Sequence, residues 1–136
     1  MNLALEGISV LVVEDEKDTR ELLKILLQAE GALVTATASV QEALAAYDQS
    51  RPTVIVADIG MPDYNGYTLI GKVRARGRER GGLIPAIALT AYATAMDRDT
   101  VLSAGFQVHM AKPFDPDKLI SVIADLAAKY KQTNAG

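Results

Sequence analysis

Five times along the chain a short apolar stretch is followed by a stretch with helical spacing, and this alternation leaves few architectures open. The apolar stretches are 8–13, 32–37, 53–57, 84–89 and 107–111. Between them, Leu22, Leu23, Leu26 and Leu27 mark a helix over 17–30 that ends at Gly31. Ser39-Val-Gln-Glu42 has capping-box spacing and opens a second helix through Tyr47, which Pro52 stops. A third is predicted over Tyr67–Arg76 and a fourth over 94–104, closed by Gly105. Asp115-Pro116 opens the last, with Leu119, Val122, Ile123 and Leu126 as its core face. Repeated β-α units imply one parallel sheet with helices on both faces, because parallel strands need right-handed crossovers. Stretches 8–13, 53–57 and 84–89 are nearly continuously apolar and suit the buried centre, whereas the weaker 32–37 and 107–111 suit the edges. The strand order predicted is 2-1-3-4-5.

A chain of 136 residues is one ordinary domain, long enough to bury a core without staples. We read 1–136 as a single unit with its core at about 7–128, a solvated loop at Arg76–Gly82 and a fraying tail from Lys129 to Gly136. Without cysteine there is neither a disulfide framework nor a thiol nucleophile. No stretch has the length of a membrane span and MNLALEGIS is not a signal peptide, so the expected location is cytoplasmic. A net charge of −3 with interspersed signs gives no field for nucleic acid, so no direct nucleic-acid or membrane contact is expected.

Four of the apolar stretches run into chemically useful residues: Glu14-Asp15, Asp58, Thr90 and Lys112-Pro113. In the predicted order the first and third strands flank the topological switch point, and open α/β sheets bind ligands at that C-terminal edge. Singly, each residue has an ordinary explanation: Asp15 as a helix cap, Thr90 as a turn hydroxyl, Lys112 as a solvated lysine. Asp58 ends an otherwise apolar run and leads into Met61-Pro62 and Gly66, which suggests a loop-lined cleft. Three carboxylates pooled at one edge repel, and a divalent cation with oxygen ligands relieves them. Mg²⁺ fits best, since it shares its remaining positions with water and a phosphoryl group.

At this point the chain resembles the receiver domains of two-component response regulators. The segments that carry the resemblance are Val10-Leu-Val-Val-Glu14-Asp15-Glu16, Ala57-Asp58-Ile-Gly-Met61-Pro62 with Asn65-Gly66, Ala88-Leu-Thr90-Ala91 and Ala111-Lys112-Pro113-Phe114. It covers roughly residues 7–128 and implies a flavodoxin-like doubly wound α/β fold, a signalling module rather than an enzyme. It also implies that Asp58 accepts a phosphoryl group from a phosphohistidine on a histidine kinase or histidine phosphotransfer domain. Asp15, Asp58 and the Gly60 carbonyl would hold Mg²⁺, with Glu14 acting through water. Thr90, Ala91 and Lys112 would meet the phosphoryl oxygens, and Pro62 and Pro113 would shape the loops, the latter after a cis peptide bond. Phosphorylation would be read out on the face made by the fourth helix, fifth strand and fifth helix.

Three positions bear on how the resemblance carries over. Glu14 stands where many family members have aspartate. His109 takes the place of a tyrosine or phenylalanine whose rotation accompanies activation, so that switch is altered. Tyr92 occupies a variable position where a bulky side chain would shield an acyl phosphate. A flavodoxin-type FMN protein would need a hydroxyl- and glycine-rich loop where Glu14-Asp-Glu-Lys-Asp18 stands. A phosphatase of the haloacid dehalogenase type would want a second Asp where Gly60 stands, and a pseudo-receiver would lack the acids and lysine. Leu5-Glu-Gly7, Gly81-Gly-Leu-Ile-Pro85 and Gly105-Phe-Gln-Val-His109 resemble receivers of hybrid sensor kinases, with a stand-alone regulator as the alternative.

Overall fold

The structure, a computed structural model, describes residues 3–59, 66–77, 82–91 and 95–135. Its elements run β1 (Ser9–Val13), α1 (Lys17–Ala29), β2 (Leu33–Thr37), α2 (Val40–Ser50), β3 (Val54–Asp58), α3 (Gly66–Arg74), β4 (Ala86–Thr90), α4 (Ala95–Ala104), β5 (Val108–Ala111) and α5 (Pro116–Ala135). All strand pairs are parallel and the order is β2-β1-β3-β4-β5, the flavodoxin-like arrangement predicted. Among the described residues no helix is long and apolar enough to cross a membrane.

The sheet divides the core in two. Leu11, Val13, Ile55, Ala57, Ala86 and Ala88 face α2, α3 and α4, meeting Tyr47, Leu69, Ile70, Val73 and Val101. Val10, Val12, Val54, Val56, Ile87 and Leu89 face α1 and α5, meeting Leu23, Leu27, Leu119 and Ile123. Burying both faces of β3 and β4 is why their sequences are apolar without alternation, whereas the edge strand β2 alternates between exposed and half-buried positions before Thr37.

The helix signals act locally as the residue types require. Ser39 Oγ accepts the Glu42 N–H at 3.1 Å, while the Glu42 carboxylate accepts the Ala38 N–H at 3.0 Å. Asp115 accepts the Asp117 N–H at the start of α5. Gly31, with φ +94°, follows the C-cap of α1.

Several boundaries differ from the sequence reading. α2 continues past Tyr47 to Ser50, and it ends when Arg51, which precedes Pro52, takes a left-handed conformation at φ 48°. α3 closes at Arg74 rather than Arg76, and β4 begins at Ala86, after Pro85, which has no N–H to give. The tail expected to fray from Lys129 is helical to Ala135, with Lys129 paired to Asp125 at 3.1 Å and Tyr130 packed against the core. On α5 the predicted core face is observed: Leu119 and Ile123 are buried, and Val122 and Leu126 are half-buried and packed against the core. On α1 Leu23 and Leu27 are buried and Leu26 is half-buried, whereas Leu22 turns outward and is exposed. The loop expected at Arg76–Gly82 is partly anchored: Arg76 binds Asp48 through both carboxylate oxygens and lies over the Tyr47 ring. Residues 78–81 lie outside the described residues.

Candidate functional site

Register alone brings the acids together. Val13 pairs with Ala57, so Glu14 and Asp58 follow one another across adjacent strands, and Thr90 pairs with Ala111, one residue before Lys112. Strand alternation then sorts them. Glu14, Asp58 and Lys112 continue the rows that face α1 and α5, whereas Thr90 and His109 continue the rows that face α4.

Glu14 is fully buried, Asp58 is 7% exposed and Asp15 is open to solvent. Carboxylate oxygens of the three lie within 4.8 Å of one another. Lys112 bridges two of them, its Nζ donating to Glu14 Oε1 at 2.9 Å and to Asp58 Oδ2 at 2.5 Å. The Lys112 backbone N–H donates to the Thr90 carbonyl at 2.8 Å, which ties the lysine's position to the end of β4. Thr90 is buried, Ala91 is exposed in the bend beyond it, and the Lys112–Pro113 peptide is cis.

The electrostatics follow from burial and proximity. Burial first, and then the neighbouring Asp58, raise the Glu14 pKa, Lys112 only partly offsets them, and the result is about 7. Burial works against a charged Lys112, yet its hydrogen bonds to Asp58 and Glu14 prevail and hold its pKa above the usual lysine value. The centre of the site is therefore crowded with negative charge that a single amine does not neutralise. Three hard oxygen donors at this spacing fit a divalent cation such as Mg²⁺, which takes one or two carboxylates directly.

Two features of the site carried no sequence signal that distinguishes them from solvated surface. Arg20, at the end of the first turn of α1, donates to the carbonyls of Glu14 at 3.0 Å and Asp15 at 3.2 Å, fixing the acidic turn. Glu16 caps α1 by accepting the N–H groups of Asp18 and Thr19. His109 sits half-buried on β5 opposite Ala88 and lines a cavity of about 330 Å³ with Arg98, Leu102 and Lys118. Gly60, Pro62 and Tyr92, singled out in the sequence, lie outside the described residues.

Known proteins place this arrangement. The profile of the response regulator receiver domain matches residues 10–124. An uncharacterised 14.6 kDa protein encoded in the sodA1 3′ region of Leptolyngbya boryana is 43% identical over 119 residues, 88% of this chain and 89% of that protein. The transcriptional regulatory protein TrcR of Mycobacterium tuberculosis is 37% identical over 119 residues, and there the chain spans 45% of its relative's length. Among solved structures, the receiver domain of a sensor histidine kinase from Pseudomonas aeruginosa, with a magnesium ion coordinated in its active site cleft, superimposes with a TM-score of 0.79. That domain is 31% identical, with 90% of this chain and 98% of the other covered. With its strand order, its profile match and these relatives, the chain belongs to the response regulator receiver domain family of two-component signalling.

Proposed function

We propose that Asp58 is the phosphoacceptor of this receiver, taking its phosphoryl group from a phosphohistidine on a histidine kinase or histidine phosphotransfer domain in the cytoplasm. The observation that carries the reading is one carboxylate at the end of β3, touched by Lys112 and within 4.8 Å of oxygens from Glu14 and Asp15. The Asp58 carboxylate attacks phosphorus; a P–O bond forms, the P–N bond to the donor imidazole breaks, and the imidazole leaves with the electron pair and takes up a proton. Asp15, Asp58 and, by the family resemblance, the Gly60 carbonyl would hold Mg²⁺ directly, with Glu14 held to it through water. When bound, that ion offsets charge on the transferring oxygens and aligns donor with acceptor. Lys112 then exchanges its carboxylate contact for a phosphoryl oxygen, and Thr90 hydrogen-bonds another. The protein's own chemistry goes no further than gaining and losing this group.

Thr90 and His109 face α4, so the new oxygens act on the face made by α4, β5 and α5 by shifting a population already present. For the wider setting we favour the receiver of a hybrid sensor kinase or phosphorelay, supported by the likeness to the Pseudomonas kinase receiver. The alternative is a stand-alone regulator, supported by the Leptolyngbya relative, which matches this chain over 89% of its length.

Acetyl phosphate with Mg²⁺ is expected to add one phosphoryl group to the wild type and none to Asp58→Asn, read by intact mass. Labelling of Asp58→Asn equal to wild type would overturn the assignment.

A further inference from the structure

Between the end of β1 and the start of α1 only Glu14, Asp15 and Glu16 are available to send one carboxylate inward and the next outward. Glu14 is fully buried and Asp15 is exposed, yet oxygens of both fall in the same cluster with Asp58. Glu14 is fastened from several sides. Its N–H donates to the Thr37 carbonyl at 3.0 Å, its Oε1 accepts from Lys112 at 2.9 Å, and its Oε2 accepts the Glu16 N–H at 3.3 Å. Asp15 lies outside both elements, so the direction of its carboxylate follows the conformation of the turn.

Arg20 braces that turn. Its backbone N–H donates to the Glu16 carbonyl at 2.9 Å, the first helical bond of α1, and from there its side chain runs back towards the acids. Glu16 also caps the helix with its carboxylate, which fixes the end from which Arg20 reaches. Nη1 of Arg20 then donates to two successive carbonyls, Glu14 at 3.0 Å and Asp15 at 3.2 Å. A turn with both oxygens on one side crowds two partial negative charges, and a cationic donor between them offsets their repulsion. Arg20 is half-buried, so without it neither carbonyl regains full hydration for the bond it loses.

We propose that Arg20 is a positioning residue for the divalent cation: by drawing the Glu14 and Asp15 carbonyls onto one nitrogen, it sets the turn that presents the Asp15 carboxylate beside Asp58. This rests on the reading of Asp15 and Asp58 as direct ligands. Charge and geometry predict opposite signs. As a bare positive charge near the site, Arg20 would repel Mg²⁺, and its removal would tighten binding. As a brace for a ligand, its removal weakens binding, and supporting contacts of this kind are worth about tenfold in metal affinity.

Titration calorimetry of Mg²⁺ into the whole chain, for wild type, Arg20→Met and Arg20→Lys, separates the two. Arg20→Met keeps a long apolar stem without donors and should raise the Kd about tenfold. Arg20→Lys returns a charged donor on a shorter reach and should recover part of that loss. Backbone amide NMR shifts of the metal-free variants should depart from wild type only around residues 13–20, which separates a local brace from general damage to the fold. Should the wild type itself bind no Mg²⁺, the metal reading fails and the proposal with it. With Mg²⁺ bound by the wild type, an unchanged or lower Kd in Arg20→Met, no recovery in Arg20→Lys, or altered shifts throughout the sheet would each overturn the proposal alone.

Discussion

Glu14 is a fully buried carboxyl group set against a second acid and an amine, which makes the metal-free protein sensitive to pH. Its pKa rises from 4.5 to about 7 on folding, so between these values the folded protein holds a proton that the unfolded chain has released. Stability from this group is therefore complete below about pH 4.5, falls as pH rises, and is lost above about 7. The loss is about 3 kcal/mol. Because other groups titrate too, the informative quantity is wild type minus Glu14→Gln in urea unfolding without divalent cations. That difference should fall from pH 4.5 to 7 and then level off; a flat difference counts against the buried-acid account. Sequence reasoning located Glu14, Asp15 and Asp58 because each ends an apolar run. It did not rank their burial, since one extra residue of turn decides that Glu14 is enclosed and Asp15 open. Arg20 was illegible for another reason: its partners are two backbone carbonyls, which every residue type carries.

Elements were legible where both the apolar pattern and the punctuation agreed, as in β1, β3 and the Ser39-capped start of α2. They were misjudged where length depends on tertiary contact. The last turns of α5 have a polar sequence, and the Asp125–Lys129 pair and the seat for Tyr130 are made by the folded molecule. On β5, His109 lies beside the small side chain of Ala88 on the face towards α4. His109→Tyr should leave labelling of Asp58 unchanged and alter only the response of α4 and β5 to beryllofluoride, followed by backbone NMR shifts. If His109→Ala keeps both labelling and that response, the imidazole is a passive edge residue.

For the whole molecule, the two apolar layers lock the sheet from either side, and the repulsion at its C-terminal edge is the charge a cation would relieve. Mg²⁺ at a hundredfold excess over its Kd should stabilise the protein by about 3 kcal/mol. The corresponding rise in Tm should be largely abolished in Asp15→Asn and smaller, but present, in Glu14→Gln, as read by thermal unfolding over a Mg²⁺ titration. Equal loss in both variants would contradict the direct role given to Asp15. Alternation within the strands separates two sets of side chains. Glu14, Asp58 and Lys112 project from one side of the sheet, and Thr90 and His109 from the other. On the β5 line, His109 and Lys112 therefore project to opposite sides of a wall one residue thick. With Asp58 as the phosphoacceptor, random mutagenesis should yield two classes of variant, told apart by labelling with acetyl phosphate: chains that accept the phosphoryl group yet stay silent, with lesions on the α4 side, and chains never loaded, with lesions among the acids and lysine.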